Sequence, residues 1–341
     1  MTTQLDAQIG FKKETTYGTG VTVDTFPEFT AEDLTWIPTF VDGAGMRVGR
    51  RLNRADRRRL VKQEVGGSFT VEATTKGLGK LFEAALGTAT STQIGGTAAY
   101  QQLFTPTTTD PLPSYTIQKG IPPLGGGAAN PMTFAGMVCT GFELSADNAA
   151  VPTIQFSWMG KAIDTATSLA TASYASGVQL LSFVDGTVRV GGSVTVPTTT
   201  ALASGGTATA NVRSINLSWD NGLDSEGFNF GAAGSRSRIQ ALGKGTLTGS
   251  MVVEYDSNTL RDAWLAETQL AVVLRFQTTT AIAASNFPTL EITIPVVRLE
   301  GDIPQTNGGD VVTQQVDFTA LDGAVATHPV YVAIVTAETA I

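Results

Sequence analysis

Short runs that alternate apolar and polar residues recur along almost the whole chain. Phe69-Thr70-Val71-Glu72, Ile154-Gln155-Phe156-Ser157-Trp158, Val188-Arg189-Val190, Val194-Thr195-Val196, Met251-Val252-Val253-Glu254 and Val316-Asp317-Phe318 are examples. In such runs residues i and i+2 share a face, so the pattern predicts strands with one face in a core and the other on water. Asp185-Gly186, Asn221-Gly222, Asn307-Gly308 and Asp322-Gly323 predict turns between them. Two segments switch to a helical period. One runs from about Thr75 to Leu86, with Leu78, Leu81, Phe82, Ala85 and Leu86 in phase and Gly87 placed to end it. The other runs from about Asn258 to Glu267, with Leu260, Ala263 and Trp264 on one face and Ser257 or Asn258 as cap.

The two predicted helices expose an internal repeat. Gly67-Ser68-Phe69-Thr70-Val71-Glu72 precedes the first and Gly249-Ser250-Met251-Val252-Val253-Glu254 the second. The match continues into the helices, Leu78 with Leu260 and Phe82 with Trp264. Upstream, Leu34-Thr35-Trp36 matches Leu217-Ser218-Trp219. Downstream, Ile154-Gln155-Phe156-Ser157 resembles Val316-Asp317-Phe318-Thr319. The order of the matches, more than any one of them, predicts a tandem duplication of an α+β unit. The offset falls by about twenty residues between the helix match and the last strand match, so the first copy carries extra residues. The Gly/Thr/Pro-rich stretch 87–131, with Gly125-Gly126-Gly127, is the place for them. The expected division is 1–165 and 166–341.

Composition narrows the chemistry. The 341 residues include 22 Lys and Arg, 30 Asp and Glu, one Cys and one His. A disulfide framework and a His- or Cys-rich metal site are excluded. A hydrophobic fraction of 42% suffices for a core. The start Met1-Thr2-Thr3-Gln4-Leu5-Asp6 has no apolar leader, and no run approaches the ~18 apolar residues of a membrane helix, so a soluble protein made and kept in a cytoplasm is expected. The net charge of -8 argues against a general nucleic-acid binder. That figure hides a contrast. Arg47, Arg50, Arg51, Arg54, Arg57, Arg58, Arg59 and Lys62 face only Asp56 within 47–62, a local +7 that leaves -15 over the remainder.

Several segments carry a family resemblance. Glu14-Thr15-Thr16-Tyr17-Gly18-Thr19, Phe26-Pro27-Glu28-Phe29 and Leu34-Thr35-Trp36 resemble the opening of phage tail tube (major tail) proteins. Pro113-Ser114-Tyr115-Thr116-Ile117-Gln118 and Phe318-Thr319-Ala320 resemble the same family. The resemblance implies a mainly β (α+β) chain of two tandem tail-tube-like β-sandwich or partial-barrel domains, each with one short flanking helix. It implies a structural virion protein of the tail, assembled in the bacterial host cytoplasm. Its rings would stack into a tube through which viral DNA passes without sequence-specific binding. Two domains per chain imply trimeric, pseudo-hexameric rings, with tape measure, terminator and tail-tip proteins as further partners. A tail-tip, spike or decoration protein acting as a surface-binding β module is the alternative.

A tube needs no nucleophile, metal or cofactor. It needs sheet edges that pair between subunits, contacts that close by rotation, and an inner wall that repels a polyanion. The acidic remainder suits such a wall. The basic segment, an arm over about 38–62, is expected to project and grip acidic surface on an adjacent ring or subunit, because the Arg fork binds carboxylates bidentately. An enzyme is not expected. His328 and Cys139 lack partners at any motif spacing, and Cys139 reads as a small buried hydrophobe. Gly243-Lys244-Gly245-Thr246 lacks the spacing of a phosphate loop and precedes a strand. Glu72 and Glu254 recur with the repeat and read as strand residues.

Overall fold

The computed structural model describes residues 6–124, 127–207, 211–301, 303–306, 308–309 and 311–341. Residues Met1 to Leu5, Asn307 of one predicted turn and Gly125-Gly126 lie outside that set. Among the described residues the fold is mainly β, with two short α-helices and a large antiparallel sheet that does not close into a barrel.

The first half contains β1 (Gln8–Lys13), β2 (Phe29–Glu32), β3 (Thr35–Asp42), β4 (Arg58–Glu72), α1 (Gly79–Leu86), β5 (Gly87–Gln93), β6 (Tyr100–Pro106), β7 (Tyr115–Ile121), β8 (Asn130–Ala146), β9 (Thr153–Gly160) and β10 (Ala162–Asp164). The second contains β11 (Gly186–Val190), β12 (Val194–Thr195), β13 (Ser204–Gly205), β14 (Val212–Asp220), β15 (Thr246–Glu254), α2 (Thr259–Leu265), β16 (Leu270–Gln277), β17 (Thr289–Gly301), β18 (Thr313–Ala320) and β19 (Tyr331–Thr336).

One ladder pattern occurs twice. In the first half β4 pairs with β3 and β9, β9 with β8, β8 with β7 and β10, and β7 with β1. In the second, β15 pairs with β14 and β18, β18 with β17, β17 with β16 and β19, and β16 with β11. The halves are welded by β8 on β14, giving the strand order β3-β4-β9-β8-β14-β15-β18-β17. The long strands β8 and β17 run on out of this sheet, and their N-terminal parts join β7 and β16.

Alternation builds the core. Ile154, Phe156 and Trp158 of β9 and Ile215, Leu217 and Trp219 of β14 point inward, while Gln155, Ser157, Asn216 and Ser218 point the other way. Phe82 of α1 meets Phe142 and Phe156 edge-on at centroid distances of 5.4 and 5.6 Å. Each such ring contributes about 1.5–3 kcal/mol by leaving water. Glu14 anchors the segment that follows β1. Its carboxylate accepts the N–H groups of Gly18 and Gly136 and the hydroxyls of Ser114 and Thr116, at 2.8–2.9 Å.

Three expectations need adjustment. α1 begins at Gly79, four residues after the predicted Thr75. Thr74 bridges to Leu180, its Oγ1 donates to Lys76 O (2.9 Å), and Gly77 has φ +87°, so 75–77 bend the chain instead of starting the helix. α2 is shorter than 258–267, and Asn258 occupies its cap without a side-chain hydrogen bond. The stretch 87–131 contains β5, β6, β7 and the start of β8. The β5–β6 hairpin crosses to the second half, where β6 pairs with β19. Gly87 ends α1 as predicted, at φ +84°.

Candidate functional site

Two surfaces stand out, a polar sheet face and a projecting hairpin. The polar face consists of the outward residues of β4, β9, β8, β14, β15, β18 and β17. Thr, Ser, Gln and Asn dominate it, with carboxylates spaced among them. Glu143, Asp220, Glu300 and Asp317 lie on this face with no ion-pair partner among the described residues. The basic groups nearby are neutralised, Arg213 by Glu254 at 2.7 Å and Arg298 by Glu267 at 3.8 Å. A shallow trough crosses the strands between Glu143, Asn216, Ser250 and Asp317. Unpaired carboxylates on a broad surface give it a net negative potential, which repels a polyanion.

The hairpin is β3, the loop 43–57 and the first part of β4. Register holds it: Trp36 lies opposite Val65, Thr39 opposite Lys62 and Asp42 opposite Arg58. Arg47, Arg50, Arg51, Arg57, Arg58 and Arg59 are exposed, and Arg54 is half-exposed. Arg58 sits 4.6 Å over the Phe40 ring, Arg54 pairs with Asp56, and Arg57 donates weakly to Gly45 O at 3.4 Å. Arg47, Arg50, Arg51 and Arg59 have no side-chain partner among the described residues. The Arg54 guanidinium holds the Asp56 carboxyl below its ordinary range.

Lys62 belongs elsewhere. It lies at the base, 3.1 Å from Glu64 and 4.3 Å over the Phe228 ring, and packs against the second half. The structure therefore gathers seven of the eight predicted residues around the hairpin loop and its emerging strand, and puts Lys62 in a structural joint.

Sequence reasoning missed two groups. Met46, Val48 and Leu52 stand fully or almost fully exposed among the arginines, giving the tip an apolar character. Charge counting obscured them, although three apolar residues in a basic loop were a readable signal. Arg236 was the second. It is fully buried, donates to Glu64 at 2.6 Å and to the carbonyls of Ser225 and Glu226, and lies 4.6 Å over the Phe228 ring. Gln63 N–H donates to Gly234 O at 2.8 Å beside it. The loop 221–245 thus clamps the base of the hairpin. Nothing in the sequence near Arg236 points to a residue 172 positions away.

Residues considered for enzymatic chemistry sit in structural settings. Cys139 is buried, and burial pushes its thiol up to about 12. His328 packs edge-on to Tyr331 at 5.6 Å. Among the described residues, no three His, Cys, Asp or Glu side chains converge as a metal site. No described helix is long and apolar enough to cross a membrane.

A family model for phage tail tube protein matches residues 4–320, nearly the whole chain. A comparison with curated proteins finds no match.

Proposed function

Because this chain belongs to the phage tail tube protein family, and so is a structural protein of the virion tail that assembles into a tube, we propose the finer assignment that three chains form one ring. Each chain supplies two tube domains, 1–165 and 166–341, so three chains occupy the six places of a hexameric ring. The observation that carries this reading is the doubled ladder pattern, in which β14, β15, β18 and β17 repeat the connections of β3, β4, β9 and β8.

The polar sheet face lines the lumen. Its Thr, Ser and Asn side chains offer few cationic contacts to phosphate, and its unpaired carboxylates repel it, so DNA slides without being held. The hairpin projects from the ring to grip the adjacent one. Arg47, Arg50 and Arg51 meet carboxylates there while Met46 and Leu52 bury apolar surface. Rings are built in the bacterial cytoplasm and capped by terminator and tail-tip proteins around a tape measure. Negative-stain microscopy of the purified protein tests the reading. Rings of six-fold outline, or tubes, are expected; protein that stays monomeric at high concentration overturns it.

A further inference from the structure

The joint between the two halves has an open counterpart at each end of the sheet. Inside the chain, β14 pairs with β8, with Trp219 opposite Phe142 and Ser218 opposite Glu143. β3 sits on β4 as β14 sits on β15: Trp36 faces Val65 where Trp219 faces Leu247. β17 sits on β18 as β8 sits on β9: Leu299 faces Phe318 where Phe142 faces Phe156. Among the described residues, however, β3 has no strand on its outer side, and Arg298–Gly301 of β17 has none opposite β18. Exposure records the difference. Trp219 is 7% exposed and its counterpart Trp36 is 38% exposed, with Ile37, Phe40 and Val41 exposed beside it.

We infer that β3 of one chain pairs antiparallel with the end of β17 of the next copy, Trp36 opposite Leu299 and Thr35 opposite Glu300, repeating between chains the joint that β8 and β14 make within one. This rests on reading the chain as a ring-forming tube subunit. The occupant is a second copy because the same contact already exists within the chain, between β8 and β14. The contact is heterologous, joining two different edges, the kind that builds a ring when the rotation from copy to copy closes.

The open edge is short and bounded. On one side Pro38 has no N–H to donate. On the other, Leu34 N–H donates to the Glu32 carboxylate at 3.0 Å and Leu34 O accepts from Lys119 Nζ at 2.6 Å. Thr35–Ile37, between them, takes the place that Ser218–Asp220 holds in the internal joint. A long bare edge invites indiscriminate strand addition, and charged plugs and proline restrict it. With so few ladder bonds, apolar burial of Trp36 supplies much of the hold, as large aromatics do at the centres of interfaces.

The test is cysteine crosslinking in assembled protein. Thr35→Cys and Glu300→Cys are combined in one chain; directly opposite residues have Cβ atoms ~4.5–5.5 Å apart. The native thiol at Cys139 is buried and stays silent. Mild oxidation of rings should give disulfide-linked dimers and trimers, absent from either single variant. Hydrogen exchange on the unmodified protein provides a second reading that needs no substitution. In 35–37 and 298–301, the amides that face away from β4 and β18 should slow at least tenfold on going from free chain to ring. Rings that form normally with neither crosslinks nor protection overturn this joint and leave the tube reading standing. Failure of the unmodified protein to form rings overturns both.

Discussion

Arg236 lies wholly inside the protein and donates to Glu64 at 2.6 Å, joining the loop after β14 to the base of the basic hairpin. The pair fixes where the hairpin leaves the body. Glu64→Gln strips the countercharge from a buried guanidinium and is expected to cost about 3 kcal/mol, the range for breaking a buried ion pair from one side. Glu64→Leu with Arg236→Met should cost much less than the single change. Denaturant unfolding of both variants checks this; equal losses in the single and the double variant would contradict it.

Replacing Arg57, Arg58 and Arg59 with Ser should leave stability within about 0.5 kcal/mol of the parent, as for exposed positions. Ring stacking should suffer, with shorter tubes and greater sensitivity to salt. Met46→Ser with Leu52→Ser should shorten tubes as well, because the proposed docking would bury the apolar tip that the single chain leaves exposed. Tube lengths counted by electron microscopy decide the matter, and unchanged lengths in both variants would remove the hairpin from the stacking contact.

Glu143→Arg with Asp317→Arg should reverse the charge of the face proposed to line the lumen without disturbing the core, since both side chains point outward. Tubes of the variant should retain DNA at low salt and release it as salt rises, while parent tubes retain none. Retention by the parent, or none by the variant, would place these residues away from the DNA path.

A buried carboxylate sets a pH dependence. Burial pushes Glu291 above its ordinary value of 4.5, and the Arg275 guanidinium and the Ala203 N–H pull it down without cancelling that push. The folded chain therefore holds the Glu291 proton more tightly than the unfolded chain. This contribution to stability is fully present below about pH 4.5 and is lost as pH rises through the raised folded-state value. Glu291→Gln lacks the term. The Tm of the variant relative to the parent should fall further behind as pH drops from 7 to 5. A gap that widens as pH rises would contradict the sign.

The parts of the fold legible in the sequence are those set by local alternation. Leu34-Thr35-Trp36 and Leu217-Ser218-Trp219 aligned as letters, and the structure gives Trp36 and Trp219 the same register against Val65 and Leu247. Gly87 was legible because only a residue tolerant of φ +84° ends a helix that way. The course of the β5–β6 hairpin was not. Its pairing with β19 joins residues more than two hundred positions apart, and Thr-rich strands such as β5 carry little alternation. The basic hairpin was legible as charge, whereas Arg236 was not, because a single Arg has no periodicity to mark it as buried.

The central claim is that one unit is used twice, so that three chains fill a six-place ring. Native mass measurement of an isolated ring tests it most directly. The account predicts three copies of the 35.6 kDa chain. Six copies would contradict it.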